Sequence, residues 1–267
     1  MSSGIDIFIR AARPLTLALF CTLLTRTPAA AQNLTVAAAA DLQAVLPAIA
    51  AQFEKDTGRA VTLTFGSSGN FYTQIQNGAP FDVFMSADID YPRRLERSGL
   101  AERGSLVEYA TGRIVLWTRN DSGVDLRSGL AAVADSRVKR IAIANPAHAP
   151  YGRATVAALR HEQLYDRVRS KFVLGENISQ TAQFAYSGNA EVGIIALSLA
   201  LGETLKNAGT YVEIPASFHP PIEQAAIVVA RSPRKALARQ FVDVLKQSAT
   251  VKLFQSYGFA TSQTATR

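Results

Sequence analysis

The sequence predicts an α/β protein with two lobes. Short apolar runs rich in valine, isoleucine and alanine alternate with segments whose apolar residues recur every three to four positions. That alternation is typical of parallel sheets flanked by helices. A second series of strand-like runs begins at Ile114, well after the first series has ended at Met85. Two α/β units are therefore the simplest interpretation.

The first unit alternates strand and helix from its start. Strands are predicted at 34–38, 60–65 and 81–85. After the first strand, apolar residues spaced i, i+3, i+4 and i+7 predict a helix that opens at Asp41 and ends at Gly58. A shorter helix is expected to follow the second strand.

The second unit repeats the pattern. Helices are predicted after Pro150 and after Asn177, and the predicted strands are 113–117, 140–144, 172–174, 192–196 and a last one at 222–230. Two further helices, 233–246 and 249–257, end the chain. Periodicity leaves open which unit these closing helices join.

The amino terminus predicts export. Arg10 and Arg13 precede an apolar run at 15–24, and small residues follow up to Ala31. This order is typical of a secretory signal peptide, here residues 1–31. The apolar run is too short to cross about 30 Å of hydrocarbon. We therefore expect an exported protein that does not span the membrane and that loses its one cysteine, Cys21, with the signal.

Composition excludes several classes of protein. With 48% hydrophobic and 18% charged residues the chain can fill a core, which excludes intrinsic disorder. Three histidines and one cysteine show no spacing typical of a metal site, so no metal or other cofactor is expected. The net charge of +7 would suit nucleic acid. However, the basic clusters lack interleaved aromatic residues, and an exported chain is not expected to bind nucleic acid.

Four loops lie between a predicted strand and the helix that follows it. They are residues 39–41, 66–70, 145–152 and 175–178. In open α/β sheets ligands bind at this edge, where helix N-termini offer free N–H groups and about half a positive charge each. Such an edge can bind an anion without lysine or arginine. The same residue types are also ordinary helix caps and turns, so the pattern alone leaves both interpretations open.

Signatures of an enzyme are weak. The Gly-Ser-Ser-Gly-Asn loop at 66–70 has neither the spacing of a nucleophile elbow nor the lysine of a phosphate-binding loop. No catalytic residue is predicted. The alternative of an exported hydrolase acting on an oxyanion ester would need His148 or Asp41 as general base.

Several motifs resemble one known family, the periplasmic molybdate-binding proteins of ABC transporters. The motifs are Val-Ala-Ala-Ala-Ala-Asp-Leu at 36–42, the loop at 66–70, Asn-Gly-Ala-Pro-Phe-Asp-Val-Phe-Met-Ser-Ala-Asp at 77–88 and Tyr-Gly-Phe at 257–259. The resemblance implies the type II periplasmic binding protein fold, with a ligand cleft between two lobes. It implies a first lobe of 32–112 plus 224–267 and a second lobe of 113–223, which places the closing helices in the first.

The resemblance also implies a function. It implies a monomer that is not an enzyme, captures molybdate or tungstate as an oxyanion and delivers it to an ABC permease. The anion is then a ligand and not a cofactor. The positions that match the family's ligand loops are Ala40, Asp41, Ser68, Tyr151 and Ile178.

Asp41 departs from the family pattern. Many members carry serine, threonine or asparagine there, whereas an ionised aspartate would repel an anion. We expect its carboxylate to turn away and cap its own helix. An aspartate in the site could instead accept the proton of phosphate, so phosphate, sulfate or another oxyanion remains the alternative ligand.

Overall fold

The computed structural model describes residues 33–261. The expected signal peptide at 1–31, with Cys21, lies outside these residues. The described chain forms ten strands in two five-stranded sheets, with helices between them. The predicted two-lobed α/β class is confirmed.

The first sheet defines lobe I and has the strand order β2-β1-β3-β10-β4. Strand β1 runs parallel to β2 and β3, while β10 is antiparallel to β3 and β4. The strands are β1 (Leu34–Ala39), β2 (Val61–Gly66), β3 (Val83–Ser86), β4 (Val107–Gly112) and β10 (Ile222–Val228).

The second sheet defines lobe II and repeats this arrangement in the order β7-β6-β8-β5-β9. Strand β6 is parallel to β7 and β8, and β5 is antiparallel to β8 and β9. The chain passes between the sheets after β4 and again after β9. The strands are β5 (Ile114–Arg119), β6 (Ile141–Ala144), β7 (Phe172–Gly175), β8 (Val192–Ala196) and β9 (Gly209–Glu213).

Helices cover the faces of both sheets. They are α1 (Leu46–Thr57), α2 (Ser68–Gln76), α3 (Asp90–Arg97), α4 (Pro150–His161), α5 (Tyr165–Val168), α6 (Ile178–Tyr186), α7 (Leu197–Ala200), α8 (Lys235–Val244) and α9 (Ser248–Ser256). Within residues 33–261, none of them is long and apolar enough to cross a membrane. The two last helices pack on lobe I, where Phe241 meets Phe53 and Phe254 meets Tyr109, with ring centroids 5.2 Å apart in each pair.

The sheet of lobe I is buried on both faces, as its apolar strands require. Because side chains alternate along a strand, Val83 and Met85 face the core under α1 and α8, whereas Phe84 faces the core under α2 and α3. This packing fixes the strand ends from which the loops leave.

The first helix begins later than predicted. Residues Ala40–Ala44 form a 3-10 turn, and α1 starts at Leu46 instead of Asp41. The physical reason is Pro47, which has no N–H to donate to the preceding turn and is tolerated only at the start of a helix. The tight turn leaves Asp41 fully buried.

Candidate functional site

Five chain segments line one small cavity of about 10 Å³ between the lobes, roughly the space of a single water-sized sphere. The segments are the end of β1 with its 3-10 turn, Ala87 after β3, and the starts of α2, α4 and α6. All five positions singled out from the sequence line it, namely Ala40, Asp41, Ser68, Tyr151 and Ile178. The structure therefore brings together residues that lie up to 138 positions apart, from Ala40 to Ile178.

Three of these segments are helix N-termini, which supply N–H groups without a partner inside the helix. In α6 the side chain of Asn177 accepts from the N–H groups of Ser179 and Gln180, each at 3.0 Å. The N–H of Thr181 bonds to the carbonyl of Asn177. Within the described part of the chain, the N–H of Ile178 is therefore the one donor in the first turn of α6 that the Asn177 cap does not bind.

The two serines of the 66–70 loop have different partners. The Ser68 Oγ accepts the N–H of Ala87 at 3.0 Å, and Ser68 is 1% exposed. Because its oxygen accepts that bond, its own proton is available to the cavity. The Ser67 Oγ instead donates to the carbonyl of His148 at 2.6 Å, which joins lobe I to lobe II.

A buried polar network lies on the other side of the cavity. The Tyr151 hydroxyl donates to the Asp41 Oδ2 at 2.8 Å, and the Gln224 Nε2 donates to the same oxygen at 2.6 Å. The Tyr109 hydroxyl donates to the Gln224 Oε1 at 2.9 Å. The Ser198 Oγ bonds to the Asp41 carbonyl at 2.7 Å. Strands of lobe I and helices of lobe II thus meet at Asp41.

This network corrects the expectation for Asp41. Its carboxylate does not cap its own helical turn, in which no side chain makes a cap hydrogen bond. It points at Tyr151 and Gln224 instead. Burial raises the pKa of Asp41 to about 6, against the lowering effect of the hydrogen bonds from Gln224 and Tyr151. A neutral carboxylic acid is therefore within reach at ordinary pH.

The chain crossing from β4 to β5 has a glycine where it passes the Asp41 network. A Cβ added at Gly112 would collide with the hydroxyl of Tyr151 and approach the amide of Gln224. Glycine at this position lets the Tyr151 hydroxyl pass close to the backbone of the crossing. Hence the tyrosine can reach Asp41 from lobe II.

Further contacts hold the lobes together around the cavity. The N–H of Gly69 donates to the His148 carbonyl at 3.0 Å. The Arg153 guanidinium pairs with Asp88 and lies 5.6 Å from the ring centroid of Tyr91. The structure is therefore an arrangement in which the two lobes touch across the cleft.

His148 does not line the cavity. Its Nδ1 lies 3.0 Å from the Ser67 Oγ and its Nε2 lies 3.7 Å from the Glu176 Oε1. Within residues 33–261 no cluster of histidine, cysteine and carboxylate side chains is arranged to hold a metal ion.

Sequence reasoning missed Gln224, Tyr109 and Ser198. A signal for Gln224 existed, because it is a polar residue inside an otherwise apolar, buried strand. Such a residue needs hydrogen-bond partners within the fold. Nothing in the local sequence of Tyr109 or Ser198 indicated a partner at Asp41.

Comparison with known proteins agrees with this architecture. The family model described as "Bacterial extracellular solute-binding protein" matches residues 34–260. The molybdate-binding protein ModA of Azotobacter vinelandii is 39% identical over 231 residues, which covers 86% of this chain and 91% of the relative. ModA of Rhodobacter capsulatus is 38% identical over 234 residues, covering 88% and 90%.

A solved structure gives the same result. The periplasmic molybdate-binding protein of Azotobacter vinelandii superposes with a TM-score of 0.80 at 36% identity, covering 85% of this chain and 99% of that one. The likeness thus extends over both lobes and the cleft between them. The chain belongs to the family of bacterial extracellular solute-binding proteins.

Proposed function

We propose that this protein is an exported, periplasmic solute-binding protein that captures molybdate or tungstate and delivers it to an ABC permease. The observation that carries the proposal is the small cavity between the lobes, to which both lobes contribute hydroxyl and backbone groups and whose lining contains no lysine or arginine. Neutral donors and helix N-termini of this kind suit a small oxyanion. The names of the two relatives that are 38–39% identical support molybdate as the ligand.

In this proposal the ligand bridges the lobes. The Ser68 hydroxyl and the backbone at Ala40 and Asp41 hold it from lobe I, while the N–H groups of Tyr151 and Ile178 hold it from lobe II. The predicted bounds of the lobes are 32–112 with 224–267, and 113–223, and β10 of the lobe I sheet begins two residues earlier, at Ile222. A ligand that bonds to both lobes stabilises the closed arrangement over the open one. The protein acts as a monomer and needs no catalytic residue.

Titration calorimetry of the mature chain with molybdate, tungstate, sulfate and phosphate tests the ligand. We expect saturable, one-to-one binding of molybdate and tungstate, and much weaker binding of the other two. The cavity of this arrangement must widen to admit any of the four anions, and its widened size provides the discrimination, because the same donors suit all four. Tight binding of sulfate or phosphate without binding of molybdate would replace the proposal by its alternative, a receptor for another oxyanion.

The alternative of phosphate has one observation in its favour. The Asp41 Oδ1 is buried and lacks a hydrogen-bond partner among the described residues. A protonated anion could donate to it. The hydrolase alternative has no comparable support, since His148 lies beside Ser67 and Glu176 and not along the cavity.

Ser68→Ala is expected to weaken molybdate binding by about 1–3 kcal/mol, the cost of losing one donor to a buried charge. Calorimetry of the variant measures this loss. Ser98→Ala is the matched control, because the Ser98 hydroxyl bonds to the Leu95 carbonyl on α3. It should leave the dissociation constant unchanged. A wild-type dissociation constant in Ser68→Ala would show that Ser68 does not bind the ligand.

A further inference from the structure

The two oxygens of the Asp41 carboxyl group have different surroundings. Oδ2 accepts hydrogen bonds from both Tyr151 and Gln224. Oδ1 is buried and has no hydrogen-bond partner within residues 33–261. Asp41 itself is 0% exposed and lines the cavity between the lobes. A buried carboxyl oxygen without a donor is costly and calls for an explanation.

The network fixes which oxygen can carry a proton. The Tyr109 hydroxyl donates to the Gln224 Oε1 at 2.9 Å, so the amide of Gln224 must present its Nε2 protons to Asp41. The Asp41 Oδ2 therefore faces two donors. A proton bound to the carboxyl group then belongs on Oδ1, where no protein donor competes with it.

An ionised Asp41 would oppose an oxyanion in this cavity. Two negative charges in contact repel strongly where little water screens them. A protonated carboxyl group would instead donate its O–H, as the Ser68 hydroxyl does in the proposed function. The unpartnered oxygen and the proposed ligand then satisfy each other.

We propose that Asp41 holds the anion as a neutral carboxylic acid with its proton on Oδ1, so that one proton enters the site with each molybdate bound. The inference rests on the proposed function and makes Asp41 a group that binds the ligand. Affinity then falls as pH rises, because the free protein loses the proton that the complex must regain.

The other groups that face Asp41 do not provide this proton dependence. From β4 and α4 the titratable side chains are Tyr109 and Tyr151, and burial raises the pKa of each well above 10. Gln224 of β10 and Ser198 of α7 are neutral. Burial raises the pKa of Asp41 itself to about 6.

Apart from the ion pair of Arg153 with Asp88, which lies beside Tyr91, the titratable groups close to the cavity are His148 and Glu176. They face Ser67 and Asn70. Histidine is the side chain that ordinarily titrates near neutral pH, so His148 is the control that the experiment needs.

Calorimetry with molybdate between pH 6 and pH 9, in paired buffers of different ionisation enthalpy, counts the protons taken up. At pH 8 we expect about one proton per molybdate. The dissociation constant should rise about tenfold for each pH unit above pH 7. The wild-type protein alone suffices for this measurement.

The Asp41→Asn variant tests whether Asp41 is the group that takes up the proton. The amide can accept from Tyr151 and Gln224 through its oxygen and donate through its nitrogen, so it imitates the neutral acid. We expect it to bind molybdate with no proton uptake, and about tenfold or more tighter than wild type at pH 8. His148→Asn should retain the wild-type proton count.

The outcomes separate the two proposals. Molybdate binding without proton uptake, or uptake that persists in Asp41→Asn, would overturn the role of Asp41 and leave the proposed function standing. No molybdate binding by either protein from pH 6 to pH 9 would overturn the proposed function, and this inference with it.

Discussion

Asp82→Ala is expected to lower the free energy of unfolding by about 3–5 kcal/mol, the usual cost of removing one partner from a buried ion pair. Asp82 is fully buried immediately before β3. Its carboxylate accepts from the Thr35 N–H at 2.7 Å and the Ser232 hydroxyl at 2.6 Å, and pairs with Arg234 at 2.9 Å. It therefore joins the first strand to the segment that leads into α8. Urea unfolding followed by circular dichroism measures the loss.

The pH dependence of this loss gives a second check. Burial alone would raise the pKa of Asp82, but hydrogen bonds from Ser232, Thr35 and Arg234 outweigh it and hold the pKa below its usual value of 3.8. A lowered pKa means stability that is present above pH 4 and lost as the carboxylate protonates. The difference between wild type and Asp82→Ala should therefore shrink in acid.

The control is Asp125→Ala, which removes an exposed pair with Arg127. Its unfolding midpoint should match that of wild type, because water screens such pairs. If Asp82→Ala were equally mild, the connection between the first strand and the segment before α8 would not depend on the Asp82 carboxylate.

Asp82 also shows what the most specific motif could and could not predict. The stretch 77–88 identified the family, yet its residues have separate tasks in the structure. Asp82 joins segments of lobe I, the N–H of Ala87 orients Ser68, and Asp88 pairs with Arg153 of lobe II. A linear pattern does not distinguish these tasks, because each depends on a partner that lies elsewhere in the chain.

Burial explains only part of which elements the sequence predicted, because the partly exposed strands β2 and β7 were also found. Strands that are apolar on both faces, such as β3 and β8, were found from the sequence, whereas β9 and α3 were not. Strand β9 is partly exposed along its length, so its sequence Gly-Thr-Tyr-Val-Glu lacks an apolar run. Helix α3 buries only Pro92 and Leu95, too few residues to show a period.

The position of the cavity could be predicted from the loops, whereas the hydrogen-bond network around Asp41 could not. Because each loop leaves a strand at the same edge of its sheet, placing the strands predicted which loops lie at that edge, and the resemblance implied that the edges of the two sheets meet at a cleft. Gln224 lies 183 positions from Asp41 and reaches it only because β10 returns to lobe I beside β3. The resemblance supplied the five cavity positions, and it gave no account of Asp41, whose surroundings are set by tertiary structure.

Gly69→Ala is expected to weaken molybdate binding by roughly a hundredfold, about 3 kcal/mol, the loss of at least one good donor to a buried charge. A Cβ at this position would lie 2.6 Å from the His148 carbonyl oxygen and 2.9 Å from the Tyr91 hydroxyl. The Tyr91 hydroxyl is the end of a side chain and can move, but the His148 carbonyl belongs to the backbone of lobe II, so the added methyl group requires the lobes to move apart. Donors on lobe II, such as the N–H of Ile178, would then lie too far from a ligand held on Ser68.

The same substitution should not harm the fold of lobe I. Gly69 lies in the first turn of α2, where alanine is the better helix former. Gly58→Ala makes the opposite control, because Gly58 ends α1 at a φ of 66° and a Cβ there meets nothing within 4 Å. That variant should lose about 1 kcal/mol of stability and keep its affinity for molybdate.

Calorimetry and thermal unfolding of the two variants separate closure from stability. Weak binding in Gly69→Ala with an unchanged melting temperature would mean that the lobes must meet at the Gly69–His148 contact for the ligand to be held. Wild-type affinity in Gly69→Ala would mean that the anion is bound before the lobes reach this contact. In that case the donors of lobe I would have to provide most of the binding free energy, and Ser68→Ala should then be the more damaging of the two substitutions.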